Sequence, residues 1–123
     1  MRRILIIDDE DDIREVAALS LEATAGWQIL TASSGAEGIE IASAEQPDAI
    51  LMDVMMPAMD GPTTFKEMQK IPEIADIPVI LLTAKVQGVD QRRFAGLGVA
   101  GVLFKPFDPL TLAEQMSATL GWS

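Results

Sequence analysis

The residues whose types and spacing could do chemistry are Asp8, Asp9, Asp53, Thr83 and Lys105. Each lies within two residues of the end of a short apolar run: residues 4–7, 49–52, 79–82 and 101–104. Were those runs neighbouring parallel strands, under about 5 Å apart, the five side chains would share one edge of a sheet. Three carboxylates in one crevice repel strongly; two unit charges 4 Å apart cost roughly 4 kcal/mol at an effective dielectric of 20. Either their pKa values rise or cations neutralise them. Lys105 brings one positive charge, and the remaining excess suits a hard divalent cation with oxygen ligands. Mg2+ matches best, because it keeps waters and uses one or two carboxylates. A carboxylate beside such an ion is a nucleophile for phosphoryl groups, giving an acyl phosphate. Phosphoryl transfer mainly requires positioning and neutralisation of the equatorial oxygens. The ion, the Lys105 ammonium and the Thr83 hydroxyl can each cover one oxygen. Asp53, already ionised, needs no general base.

The totals narrow the alternatives. The 123 residues include no histidine and no cysteine, which removes histidine bases, phosphohistidine, disulfides and thiolate metal sites from this chain. Nine basic against nineteen acidic residues give a net charge of −10. Such a surface disfavours nucleic acid and anionic membranes and favours cations or a basic partner. No apolar run approaches the roughly 18 residues of a membrane span, and Met1-Arg2-Arg3 opens no signal peptide. The expectation is a single cytoplasmic domain over residues 1–123, with no output domain attached.

The positioning elements follow from the hydrophobic pattern. The all-apolar run into Asp53 reads as a strand buried on both faces, as in parallel sheets, with Asp53 at its carboxyl edge. Pro57 and Gly61 delay the next helix, so Asp53 is too far upstream to cap it. In chain order the pattern predicts a strand at 4–7 and a helix at about 12–25. Ile13, Val16, Ala17, Leu21 and Thr24 form that helix's inner stripe, and Gly26 is its stop. An edge strand follows at 27–32, then a helix at 35–45 capped by Ser33 or Ser34. Residues 63–70 form a short helix with Phe65 and Met68 inward, after a loop in which Asp60 is a turn residue. A strand at 79–82 leads to a helix at about 87–97, loosened by Gly88 and Gly96. A strand at 101–104 precedes a final helix capped by Asp108, with Pro109 first and Leu110, Ala113 and Leu120 in the core. Five strands alternating with five helices make an α/β domain, a doubly wound parallel sheet with helices on two faces.

The segments Ile6-Ile7-Asp8-Asp9-Glu10, Met52-Asp53-Val54-Met55-Met56-Pro57, Asp60-Gly61, Leu82-Thr83-Ala84-Lys85 and Phe104-Lys105-Pro106-Phe107 resemble the receiver domain of two-component response regulators, in particular stand-alone, chemotaxis-regulator-like receivers. The resemblance spans the chain. The separations of 44 residues from Asp9 to Asp53, 30 to Thr83 and 22 to Lys105 are usual for that family. It implies a flavodoxin-like strand order of 2-1-3-4-5. It implies that Asp53 accepts a phosphoryl group from a phosphohistidine on a sensor histidine kinase or histidine phosphotransfer protein. Asp9 and Asp53 would hold Mg2+ directly, Met55 through its backbone carbonyl, and Asp8 largely through water. Thr83 and Lys105 would then meet the phosphoryl oxygens, shifting the surface of the fourth helix, fifth strand and fifth helix toward a downstream protein target or onward relay. The protein would act by binding, as a monomer or a weak dimer on phosphorylation, rather than as a turnover enzyme.

One position departs from the family. Three residues before Lys105, where the family carries tyrosine or phenylalanine, stands Val102; Phe104 shares its strand face by period two. Asp11, Asp12 and Glu15 read as a solvated helix start favoured by the macrodipole. Arg92-Arg93-Phe94 reads either as a solvated pair beside a core aromatic or as part of a partner face. Two other readings stay open on sequence. One is a haloacid-dehalogenase-like phosphatase with Asp9 as nucleophile and Asp11 as acid; the other is a degenerate receiver acting only as an interaction module.

Overall fold

In the computed structural model, which describes residues 1–84, 94 and 96–122, the sheet is built around a strand buried at every position. That strand is β3, Ala49–Asp53; Ile50 and Met52 have no exposed surface. The chain runs β1 (Arg3–Ile7), α1 (Asp11–Ala25), β2 (Gln28–Ala32), α2 (Gly35–Glu45), β3, α3 (Gly61–Gln69), β4 (Val79–Ala84), β5 (Gly101–Lys105) and α4 (Leu112–Leu120). The five strands are parallel in the order β2-β1-β3-β4-β5. This is the order the resemblance implies, with β2 at an edge as expected. The helix expected at about 87–97 falls mostly on residues outside those described, which leaves four helices among the described residues. Of that segment Phe94 is buried and packs on the core.

Alternation along the strands builds two cores. Leu5, Ile7, Ile50, Met52 and Leu81 face α2 and α3, meeting Ala42, Phe65 and Met68. Ile4, Ile6, Leu51, Ile80 and Leu82 point to the other face and meet Ala17 and Leu21 of α1 and Leu112, Ala113 and Met116 of α4. Period-two strands thus serve both faces at once, as a buried parallel sheet requires.

Helix ends follow local chemistry. Gly26 adopts the left-handed conformation (φ 69°) and its N–H closes on Glu22, so α1 stops where expected. The Ser34 hydroxyl accepts from the Glu37 N–H at 3.1 Å, which resolves the choice between two serines. Asp60 is more than a turn residue: its Oδ1 accepts from the Thr63 N–H at 2.8 Å, capping α3 two residues earlier than expected. At the other end of the chain Asp108 is no helix cap. Its Oδ1 accepts from the Leu110 N–H at 2.9 Å, closing a turn through Pro109, and the helix begins only at Leu112. That turn carries Leu110 outward to 78% exposure, so it is not the core residue expected. Val16 and Thr24 are likewise exposed, because the inner stripe of α1 centres on Ala17 and Leu21 and leaves both on its flank.

Candidate functional site

Four strand ends converge. The register pairs Ile7 of β1 with Met52 of β3, Asp53 with Leu82 of β4, and Ala84 with Lys105 of β5. Asp8, Asp53, Thr83 and Lys105 therefore lie along the carboxyl edge of the sheet, with Asp8, Asp53 and Thr83 all buried. The Lys105 ammonium sits 3.1 Å from Asp53 Oδ1, 3.3 Å from Asp8 Oδ2 and 3.7 Å from Glu10 Oε1. Carboxylate oxygens of Asp8, Glu10 and Asp53 lie within 4.8 Å of one another.

Backbone contacts hold these groups in place. The Glu10 N–H donates to Asp8 Oδ1 at 2.9 Å, and the Arg14 guanidinium donates to the Asp8 carbonyl at 2.7 Å. Behind Asp53, the Gly61 N–H donates to the Val54 carbonyl at 2.8 Å, drawing the start of α3 against the end of β3. A Cβ at Gly61 would lie 2.5 Å from the Asp53 carbonyl oxygen and 3.0 Å from Val54 Cα. Only glycine permits that approach.

The electrostatics carry the strain of crowding. Burial, then the nearby Asp8 and to a lesser degree Asp9, push the Asp53 carboxyl up to about 6, against the pull of Lys105. Burial also opposes the charge on Lys105. Its hydrogen bond to Asp53 and the charges of Asp8 and Asp53 outweigh that and raise its pKa. One ammonium is thus shared by three carboxylates, and net negative charge remains.

Two oxygens show where that excess is focused. Asp53 Oδ2 and Asp9 Oδ1 are both buried without a hydrogen-bond partner. Orphaned anionic oxygens beside a carboxylate cluster are the donor set a hard divalent cation takes. Asp9 itself is not among the three residues whose oxygens converge, although its charge reaches Asp53. Met55 stands two residues past Asp53 with its side chain 76% exposed, so any contribution to an ion is its backbone's. Lys85 lies outside the described residues. Asp11, the acid of the phosphatase reading, is exposed, and its carboxylate is paired with Arg14.

Glu10 is the residue that sequence reasoning passed over. It holds the N-cap position of α1, yet its side chain makes no capping hydrogen bond. A glutamate where serine, threonine, aspartate or asparagine is preferred was the available signal. Beside the cluster an apolar groove of about 390 Å³ runs from Lys105 over Pro106 and Phe107 to Ile13 and Val16 of α1.

The profile of the response regulator receiver domain matches residues 4–117. The chain belongs to this family. The receiver is 37% identical to protein PilH of Pseudomonas aeruginosa over 120 residues, covering 98% of each chain. It is 38% identical to the DNA-binding dual master transcriptional regulator RpaA of Synechocystis, covering 98% of the receiver but 49% of that regulator. It spans about half the length of most of the curated relatives it matches. Among solved structures, chemotaxis protein CheY4 of Vibrio cholerae superposes with a TM-score of 0.89 at 29% identity, covering 97% of the receiver and 98% of CheY4. Receivers are phosphoacceptor signalling modules, and the acidic cluster at the head of this sheet fits the Mg2+ site of the family. No helix among the described residues is long and apolar enough to cross a membrane.

Proposed function

We propose that this receiver is a phosphorylation-activated switch in which Asp53 takes a phosphoryl group from a phosphohistidine of a sensor histidine kinase or histidine phosphotransfer protein. The observation that carries the reading is the state of the Asp53 carboxylate. It is buried, one oxygen is held by Lys105 at 3.1 Å, and the other has no partner. A carboxylate so placed is ionised above about pH 6 and is fixed in direction. Its oxygen attacks phosphorus, the bond from phosphorus to the donor nitrogen breaks, and an acyl phosphate forms. Lys105 is already within reach of the oxygens that arrive, and a hydroxyl at Thr83, at the end of the adjacent strand, can donate to another. Asp9 and Asp53, the Met55 backbone carbonyl, and Asp8 through water would hold Mg2+. The ion supplies positive charge to the incoming phosphoryl oxygens.

The switch works by redistributing Lys105. In the unmodified chain it bridges Asp53, Asp8 and Glu10; a phosphoryl group with more oxygens and more charge draws it away. β5 carries Lys105 and pairs with β4, so the change reaches the surface beyond that pair, where a downstream protein target or relay partner reads it. Val102 packs half-buried against the core with no large ring to swing, and Phe104, on the same face, is 38% exposed. Repacking therefore has to pass through β5 and Phe104 rather than through a rotating aromatic at position 102. The donor protein would rest on the apolar groove that starts at Lys105. We read residues 1–123 as one receiver domain, cytoplasmic, without direct nucleic-acid or membrane binding, monomeric or weakly dimeric when phosphorylated.

The test is intact-mass measurement and peptide mapping after incubation with acetyl phosphate and Mg2+, using Asp53→Asn as control. One phosphoryl adduct on Asp53, absent from the control, is expected. An adduct that persists in Asp53→Asn moves the nucleophile elsewhere, and no adduct under any donor leaves a receiver that acts only by binding.

A further inference from the structure

We propose that Glu10 is a working carboxylate of the cation site, raising its affinity for Mg2+ and competing with Asp53 for Lys105. The inference rests on the phosphoacceptor reading above and extends it to a side chain outside the set Asp8, Asp9, Asp53 and Met55. Glu10 follows the acidic pair directly, and its backbone N–H fixes Asp8 Oδ1 at 2.9 Å. Its carboxylate turns back over the site, 3.7 Å from the Lys105 ammonium and within 4.8 Å of oxygens of both Asp8 and Asp53.

Three observations set it apart from a solvated surface acid. The side chain stands at a helix N-cap but does not cap, so its position is not explained by helix formation. It points at a cluster in which the buried Asp53 Oδ2 has no partner, so the site it joins is short of positive charge. It also touches a lysine already shared by two other carboxylates. Where one ammonium serves three anions, each weakens the hold of the others. Glu10 thus loosens Lys105 from Asp53 while deepening the negative potential in which a divalent ion settles.

The magnitude follows from Coulomb's law. A unit negative charge about 5 Å from a doubly charged ion in water is worth roughly an order of magnitude in affinity before screening. With 59% of the Glu10 side chain exposed, salt and side-chain freedom reduce this, leaving about three- to tenfold.

The experiment is calorimetric titration of metal-free protein with MgCl2, for wild type, Glu10→Gln, Glu10→Ser and Asp53→Asn, with urea melts of each metal-free protein. Glu10→Gln is expected to weaken Mg2+ binding about three- to tenfold, most at low ionic strength. Glu10→Ser is expected to weaken it equally while making the metal-free fold more stable, since serine can cap α1. A merely structural role would move affinity and stability together. Mg2+ affinity in Glu10→Gln equal to that of wild type overturns the proposal. If wild type binds Mg2+ and is labelled on Asp53 while Glu10→Gln behaves identically, only the role of Glu10 fails. If wild type takes up neither ion nor phosphoryl group, the phosphoacceptor reading fails with it.

Discussion

Replacing Asp53 with asparagine should make the metal-free protein more stable, although it removes the group on which the signal depends. Asp53 titrates at about 6 in the folded chain against an ordinary value of 3.8. The folded state therefore binds this proton more tightly than the unfolded state, and stability falls as pH rises from 3.8 to 6. Above about 6 the full penalty is present. Two units at about 1.4 kcal/mol each make it roughly 3 kcal/mol at pH 7.5. Asparagine keeps the shape and removes the charge, so Asp53→Asn should gain up to that amount at pH 7.5. Integrating the same linkage gives about 1.6 kcal/mol at pH 5 and about 0.6 kcal/mol at pH 4. For a chain of this size the neutral-pH gain corresponds to roughly 10 °C in melting temperature. The assay is urea and thermal unfolding in EDTA at the three pH values, compared as differences so that other carboxylates cancel. Magnesium should narrow the gap by neutralising the wild-type charge. An Asp53→Asn variant less stable than wild type at pH 7.5, or a gap that does not shrink on acidification, would refute the electrostatic account of the site.

Other expectations follow from the same geometry. Lys105→Met leaves three carboxylates without their ammonium and should lower metal-free stability by about 3–5 kcal/mol in urea melts, with saturating Mg2+ restoring more than it adds to wild type. Because the folded pKa of Lys105 is raised, its contribution is complete below its ordinary value of 10.5 and is lost only as pH climbs through the higher folded value, so melts between pH 7 and 9 should show no loss from it. Gly61→Ala forces a methyl to within 2.5 Å of the Asp53 carbonyl oxygen. It should cost about 1–3 kcal/mol and slow labelling by acetyl phosphate, because β3 and α3 must separate. Val16→Glu in the groove beside Lys105 should reduce transfer from a phosphohistidine protein about tenfold relative to labelling by acetyl phosphate, as measured by competing the two donors.

The elements legible in the sequence were those whose signal is concentrated. Uninterrupted apolar runs marked β1, β3 and β4, and the register then brought Asp8, Asp53, Thr83 and Lys105 to one edge. Gly26 and Ser34 ended and began helices where their chemistry required. Short-range competition was harder to read. Asp60 and Asp108 both precede a proline by one or two residues, yet one caps a helix and the other closes a turn on Leu110. The difference lies in whether the following backbone is packed against a strand, as Gly61 is against Asp53 and Val54. Val16 and Leu110 read as core by type but are exposed, and sequence periodicity does not register which side of a helix a neighbouring loop covers. Glu10 was hidden because its role depends on where its side chain turns, not on its spacing.

Trp27 and Trp122 meet edge to face at 5.5 Å, with Arg2 over the second ring, beside the N-terminal end of β2. Strands of five residues set this pair roughly 16 Å from the acidic edge. The natural fluorophores of the molecule therefore watch its foundations, at the opposite end of the sheet from the phosphoacceptor. They suit unfolding measurements well, whereas following phosphorylation by light calls for a dye or an added indole near exposed Met55.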